Sequence, residues 1–263
     1  MCLAVVALDA HPRYALVAAA NRDEFHARPA AAAHRWSDAN GGIVAGRDLE
    51  QGGTWLGVAR DGRFAFVTNV REPGRHDPHA PTRGALVPAL LRDPRPVAAA
   101  LAEWVAAAHD YNGFNLVCAD AQAAAFGSNR GPRVLALARG IHGVSNAGLD
   151  TPWPKLVRAK AGLARWIASG DDALDTLWPV LADTTRAADH ELPDTGIARD
   201  RERLLSSPFI VSATYGTRCS TLVTLSRDGE ARFVERSFDA SGTATGEVAF
   251  RFRLDTQARR QPA

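Results

Sequence analysis

The second residue of this chain carries more potential chemistry than any other single position. Met1 precedes a cysteine, Cys2. A small residue at that place permits removal of the initiator methionine, which would leave a thiol and a free α-amine on one residue. An α-amine with an ordinary pKa of about 7.7 to 8.0 can take the thiol proton directly or through water at neutral pH. Nucleophile and base would then coincide, and no histidine would be needed. A plain alternative stands beside this one, because a free cysteine at a strand start also packs as a small apolar residue. Its surroundings weigh on the choice. Polar residues stand where apolar, strand-like runs end: Asn21 and Asp23, Asn69, Asn146 within 143–148, and Arg218 within Tyr215-Gly-Thr-Arg218. Each asparagine alone can be read as a partner for turn backbone; all of them together point to a site.

The elements that must position these residues follow from the pattern of apolar runs. Residues 2–8 (CLAVVAL) and 14–20 (YALVAAA) are apolar and partly β-branched, with a turn-forming Asp-Ala-His-Pro-Arg between them, which predicts a hairpin. Pairing Leu8 near Tyr14 sets Cys2 opposite Ala20 and brings Asn21, Arg22, Asp23 and Glu24 beside the chain start. The glycine-rich stretch 41–57, with Gly41-Gly42, Gly46-Arg47-Asp48 and Gly52-Gly53-Thr54-Trp55-Leu56-Gly57, lacks side chains that would keep a ligand away. A substrate is expected between it and the hairpin. Residues 63–69 read as a strand, 70–81 as loop, and 83–92 and 96–109 as helices separated by Pro94 and Pro96. Strands are expected at 114–119, 134–137 and 141–145, helices at 153–168 and 173–181, and weakly patterned polar chain around 183–207. Closing strands are expected at 220–225, 231–238 and 248–254 around the Asp228-Gly229 turn. Strands, then a helical middle, then strands again imply helices covering sheets assembled from both ends of the chain. One domain over 1–255 and a disordered polar tail over 256–263 complete the expectation.

Composition narrows the class of partner. The 263 residues are 46% hydrophobic and 23% charged, with a net charge of +2, ordinary values for a chain that buries a core. So even a balance argues against nucleic acid as a partner and favours small molecules. Cys2, Cys118 and Cys219 show no spacing for a disulfide framework or a zinc site. No metal is expected: the histidines lack ligand spacing, and His76 and His79 sit in a proline-rich loop. The start lacks a basic segment ahead of its apolar run, so it does not read as a signal peptide. No run approaches the roughly 18 apolar residues of a membrane span. A cytoplasmic protein is expected.

Several longer motifs carry a family resemblance. These are MCLAVVA at the start, AANRDEF at 19–25, GGTWLG at 52–57, Thr68-Asn69, YNGFNL at 111–116, NRG at 129–131, GVSNAGLDTPWPKL at 143–156, YGTR at 215–218 and ERSF at 235–238. Together, in order and along nearly the whole chain, they resemble the NRDE family, whose eukaryotic members are the transport and Golgi organisation protein 2 group. That family is similar to the N-terminal nucleophile hydrolases, above all the cysteine branch with choloylglycine hydrolases and penicillin V acylases. The resemblance implies an α+β fold, a four-layer αββα sandwich of the N-terminal nucleophile hydrolase type. It also implies roles: Cys2 as nucleophile, Asp23 orienting the α-amine, Asn69 and Asn146 donating to an oxyanion, and Arg218 holding Asp23 or lowering the thiol pKa. One departure is visible. The hydrolases carry arginine directly before the Asn of the Asn-x-Asp element, where this chain has Ala20, with Arg22 between Asn21 and Asp23.

Two functions follow. In one, the protein is a cysteine N-terminal hydrolase cleaving a non-peptide amide or a thioester of a small or lipid-like molecule, with no cofactor required. In the other, it binds an apolar, anionic ligand without catalysis; the resemblance implies haem mobilisation and the handling of acyl-coenzyme A or lipid. Asn21, Arg22, Glu24, Arg47, Trp55 and Tyr215 are the expected ligand contacts, with Arg22, Arg47 and Arg218 able to pair with propionates or phosphates. Plain readings of these residues stay open too: Arg22 and Glu24 as a solvated ion pair, and Trp55, like Trp36 and Trp153, as core.

Overall fold

The first and last apolar runs of the chain meet in one antiparallel sheet. The computed structural model describes residues 2–37, 42–131 and 134–255, so the tail 256–263 lies outside the described residues. In chain order the elements are β1 (Cys2–Leu8), β2 (Tyr14–Phe25), β3 (Ala30–Arg35), β4 (Ile43–Asp48), β5 (Leu56–Ala59), β6 (Phe64–Asn69), α1 (Leu86–Arg92) and α2 (Val97–Ala107). There follow β7 (Phe114–Ala119), β8 (Ala124–Ser128), β9 (Val134–Ala136), β10 (Gly140–Val144), α3 (Pro154–Ala168), α4 (Trp178–Leu181) and α5 (Arg199–Leu204). β11 (Tyr215–Ser226), β12 (Glu230–Phe238) and β13 (Ala244–Arg253) close the chain. Among the described residues the first sheet has the order β10-β1-β2-β11-β12-β13 and the second the order β3 to β9 without β-strand crossovers, through a helical insertion between β6 and β7.

Period-two alternation decides what each face meets. On β1, Ala4, Val6 and Leu8 join Val44, Val58, Phe64 and Phe66 of the second sheet in a shared core. Leu3, Val5 and Ala7, on the opposite face, pack with Leu156, Ala159 and Leu163 of α3 and Trp178 and Leu181 of α4. The second sheet repeats the arrangement: Ala45, Ala65, Val67 and Leu116 meet Leu86 and Leu90 of α1 and Leu101 of α2. Burial on both faces is why β1 reads as an unbroken apolar run. The whole is a mixed α/β protein, mostly sheet, and no helix among the described residues is long and apolar enough to cross a membrane.

Three expectations change. The hairpin pairs Leu8 with Leu16 and Cys2 with Arg22, two residues beyond the expected Cys2–Ala20 register. The turn is longer than it looked: Asp9 adopts φ 48°, its N–H donates to the Ala15 carbonyl at 2.8 Å, and His11 Nδ1 accepts from the N–H groups of Arg13 and Tyr14. A shift of two leaves every side chain on the face first assigned to it. Next, β2 runs on to Phe25, because β11 pairs with it from Phe25 back to Tyr14; the strand expected to end at Ala20 thus includes Asn21 to Glu24. Finally, β3, β4, β5, β8 and α5 occupy segments that showed too few branched residues or too much polarity to read as elements.

Glycines in the second sheet let its parts approach. A Cβ on Gly46 would lie 2.3 Å from Trp55 Cη2, so the indole occupies the space that any other residue would fill. A Cβ on Gly53 would lie 2.4 Å from the Gly84 carbonyl, where Thr54 N–H donates to Gly84 O at 3.0 Å. These two contacts bring Trp55, Thr54 and Arg83 to the end of β1.

Candidate functional site

Cys2 stands half-buried at the start of β1 and opens on a cavity of about 330 Å³. Its walls come from the end of β2 (Arg22, Asp23, Glu24), from Thr54 and Trp55, from Val67 and Asn69 at the end of β6, and from the loop 76–84 with His76, Pro78, Pro81 and Arg83. Arg28, Asp48 and Glu50 form a further rim. The cavity thus lies between the N-terminal hairpin and the glycine-rich stretch, and the loop 76–84 adds a wall on its far side.

Arg22 is Cys2's cross-strand neighbour. Its guanidinium lies over the Trp55 ring at 4.4 Å and reaches Asp48 at 3.6 Å, which places a cation and an aromatic face against each other in a buried setting. Only 5% of Arg22 is exposed, and its Nη1 has no hydrogen-bond partner among the described residues. Burial pushes the Cys2 thiol up, as does the Asp23 carboxylate, while Arg22 and the Asp23 backbone pull it down. Arg22 thus puts a cation beside the sulfur, but burial outweighs it and the thiol stays above its ordinary value.

Asp23 lies on the opposite face of β2, buried, where Thr217 Oγ1 donates to its Oδ1 at 2.8 Å and Tyr215 OH donates to its backbone carbonyl at 3.0 Å. Burial raises the Asp23 carboxyl; Lys155 and Thr217 oppose that rise. Burial likewise lifts the Tyr215 hydroxyl well above its usual range. Met1 lies outside the described residues, so the expected contact between Asp23 and an α-amine on Cys2 does too.

Behind Cys2 runs a polar chain. Ser145 Oγ lies 3.3 Å from the Cys2 carbonyl and 3.3 Å from Asn146 Oδ1. Asn146 Nδ2 donates to the Asn69 carbonyl at 3.1 Å, and Lys155 Nζ donates to Asn146 Oδ1 at 3.3 Å. One Asn146 N–H is thereby engaged in structure, and its second is the one left for another acceptor.

Other expected residues lie elsewhere. Arg218, at a bulge in β11, donates from Nη1 to the carbonyls of Phe25, His26 and Arg28 at 2.9, 3.2 and 3.0 Å. It secures the segment after β2, and the contact with Asp23 expected of it is made by Thr217 instead; the bulge turns the arginine away. Asn21 donates to the carbonyls of Leu181 and Pro208 and accepts from Ser220 Oγ, fixing β2 to the chain outside the first sheet. Arg47 stacks on Trp36 at 4.6 Å. Asn21, Arg47, Asn146, Tyr215 and Arg218 are not among the residues lining the cavity, whereas Cys2, Arg22, Asp23, Glu24, Trp55 and Asn69 are.

Sequence reasoning passed over Thr217, Lys155 and Arg83. Lys155 had a signal: with Ala159, Gly162 and Trp166 it falls on the buried stripe of α3, a lysine at helical spacing on an apolar face. Arg83 precedes Gly84, and that glycine's close approach to Gly53 carries it into the cavity. Burial lowers the Arg83 guanidinium while Cys2 and Glu24 favour its charged form.

Two antiparallel sheets share a core, carry helices against their other faces, and set a cysteine at the head of the first strand beside an arginine-bearing cavity. The chain belongs to the Transport and Golgi organisation 2 family, whose model matches residues 1–240. It is 36% identical to the Transport and Golgi organization protein 2 homolog of Bos taurus, across 97% of this chain and 100% of that one. It is 33% identical to the corresponding Mus musculus protein over the same shares. Among solved structures, the Caenorhabditis elegans N-acylethanolamine-hydrolyzing acid amidase ortholog aligns with a TM-score of 0.46 and 11% identity, covering 84% of this chain and 92% of that one.

Proposed function

We propose that the protein is a cysteine hydrolase of the N-terminal nucleophile type, built as a four-layer αββα sandwich and cleaving a non-peptide amide or a thioester of a small or lipid-like molecule. The observation that carries this reading is the position of Cys2: half-buried, on the cavity wall, cross-strand to Arg22 and next to the buried Asp23. With Met1 removed, the α-amine of Cys2 takes the thiol proton and the sulfur attacks the substrate carbonyl carbon. The C–S bond forms as the carbonyl electrons move to oxygen. Asn69, on the cavity wall, is the side-chain donor assigned to that oxyanion, and a donor of this kind contributes about 3 to 4 kcal/mol in the transition state. Collapse expels the amine or thiol, which takes the proton held by the α-amine. Water then attacks the acyl-thioester, giving up its proton to the amine, and restores the Cys2 thiol. Cys2→Ala should abolish turnover in an amide and thioester screen with the fold intact; full turnover by that variant would refute the reading.

A second reading has one observation in its favour. Among the described residues Arg22 keeps Nη1 without a partner, and Arg28 and Arg83 line the same cavity as Trp55, Pro78 and Pro81, beside the carboxyl groups of Asp23, Glu24, Asp48, Glu50 and Asp77. That combination of cations and apolar surface suits an anionic ligand held without catalysis, such as haem through its propionates or acyl-coenzyme A through its phosphates. Titration with haemin and with a long-chain acyl-coenzyme A tests it, and the absence of saturable binding by either would remove it.

A further inference from the structure

Three arginines, Arg22, Arg28 and Arg83, line the cavity that Cys2 opens on. Two of them are matched by carboxylates: Arg22 and Arg28 share Asp48 at 3.6 and 2.6 Å, and Arg28 also reaches Glu50 at 3.1 Å. Arg83 is matched by none among the described residues. Its one hydrogen bond there runs from Nη1 to the Gly113 carbonyl at 3.0 Å, which leaves the Nε and Nη2 donors of a half-buried guanidinium without a protein acceptor. The side chain is nonetheless fixed at both ends. Gly84, the next residue, accepts from Thr54 N–H at 3.0 Å, and the Gly113 carbonyl also accepts from Val70 N–H at 2.9 Å. Gly113 N–H in turn donates to Glu72 at 2.9 Å. A residue that only tied its loop to Gly113 would need one donor and no charge, whereas a guanidinium held by one nitrogen presents the rest of its planar fork.

The other charges of the wall decide which anion suits that fork. Five carboxyl groups stand in the lining against the three arginines, and Glu24 and Asp77 have no cationic partner among the described residues. A polyanion would meet their repulsion, while a single negative charge meets one unmatched cation. The volume of about 330 Å³ lies at the small end of ligand sites.

We propose that Arg83 is a specificity-determining residue, its Nε and Nη2 donors taking one carboxylate that the substrate carries beside the amide or thioester presented to Cys2. The proposal rests on the hydrolase reading and narrows it from a small or lipid-like molecule to a small monocarboxylic acid. Trp55, Pro78 and Pro81, on the same wall, cover the apolar remainder of such a molecule.

The test compares reagents for Cys2 that differ only in a carboxylate: iodoacetate against iodoacetamide, and 3-bromopropionate against 3-bromopropionamide, whose carboxyl group reaches one carbon further. Rates at one pH are read from the mass of the peptide containing Cys2, so that Cys118 and Cys219 are counted apart, and each acid-to-amide ratio is divided by that of a free thiol in solution. At least one ratio should exceed the solution value by on the order of tenfold, the worth of a hydrogen-bonded charge. Arg83→Gln should return it to the solution value, and Arg83→Lys, which keeps the charge and loses the fork, should retain part of it. N-acetylglycine should protect Cys2 from iodoacetamide in the parent, and inorganic phosphate should not. Parent ratios at the solution value for both pairs would overturn the proposal without any variant, as would a preference that survives in folded Arg83→Gln, or protection by phosphate in place of N-acetylglycine. None of these readouts uses turnover: full turnover by Cys2→Ala would remove the hydrolase reading, while ratios at the solution value would remove only this role of Arg83.

Discussion

Cys2 and Arg22 face each other across adjacent antiparallel strands, and the guanidinium of Arg22 lies over the Trp55 ring, 4.4 Å from its centroid. The pairing joins the first sheet to the second at the mouth of the cavity. It depends on a glycine of β4 in the second sheet. Gly46 leaves open the space that the Trp55 ring fills, so Gly46→Ala should displace the indole and release Arg22 from its stack. Overpacking of this kind costs about 1 to 3 kcal/mol, measurable by urea unfolding, and alkylation of Cys2 should slow at neutral pH as the cation moves away.

Gly53→Ala should be more damaging than Gly46→Ala. The added Cβ would meet the Gly84 backbone at 2.4 Å, and backbone cannot rotate aside as a side chain does. The Thr54–Gly84 hydrogen bond would open, and Arg83 would leave the cavity wall. Urea midpoints for the two variants measured together check the ranking; a smaller loss in Gly53→Ala would contradict the described packing.

Thr217→Val should expose what supports Asp23. The hydroxyl donates to Asp23 Oδ1 and accepts from Ile210 N–H at 2.9 Å, so its removal strips two buried groups of one partner. A loss of about 1 to 3 kcal/mol is expected, with the Asp23 carboxyl driven further up. Stability against pH, compared with the parent, reads both effects.

How legible this was from the sequence differs by element. β1 and β7 announced themselves as short apolar runs with branched residues, β6 by its alternation, and α3 by its helical period. β3, with four alanines and no branched residue, carried no such signal; its place follows from pairing with β4. At the site, Cys2, Asp23 and Asn69 could be placed because each closes or opens an apolar run. Arg218 could not: the bulge between Thr217 and Cys219 changes which side chain faces Asp23, and nothing in the letters Tyr-Gly-Thr-Arg reveals a bulge. Lys155 was visible as a lysine on an apolar helical stripe, but its partner, Asn146, is brought to it only by tertiary contact.

Lys155 should also lower stability in a pH-dependent way. Its ammonium is held at about 8 in the folded chain against an ordinary 10.5. Between those values the unfolded chain binds more protons, so stability rises with pH across that window and the full cost applies below it. Lys155→Met should therefore stabilise the protein at neutral pH by about 3 kcal/mol, the gain fading in strong alkali. Urea unfolding at neutral and alkaline pH checks the sign; a variant destabilised equally at both would contradict it.

The most direct measurement is an acid quench of the protein during turnover of an amide or thioester substrate, followed by mass analysis of the peptide that begins at Cys2. The account predicts a mass gain equal to the substrate's acyl group on that peptide, without Met1, lost on treatment with hydroxylamine and absent from Cys2→Ala. Product release at the parent rate by Cys2→Ala, with no adduct on any cysteine, would contradict it.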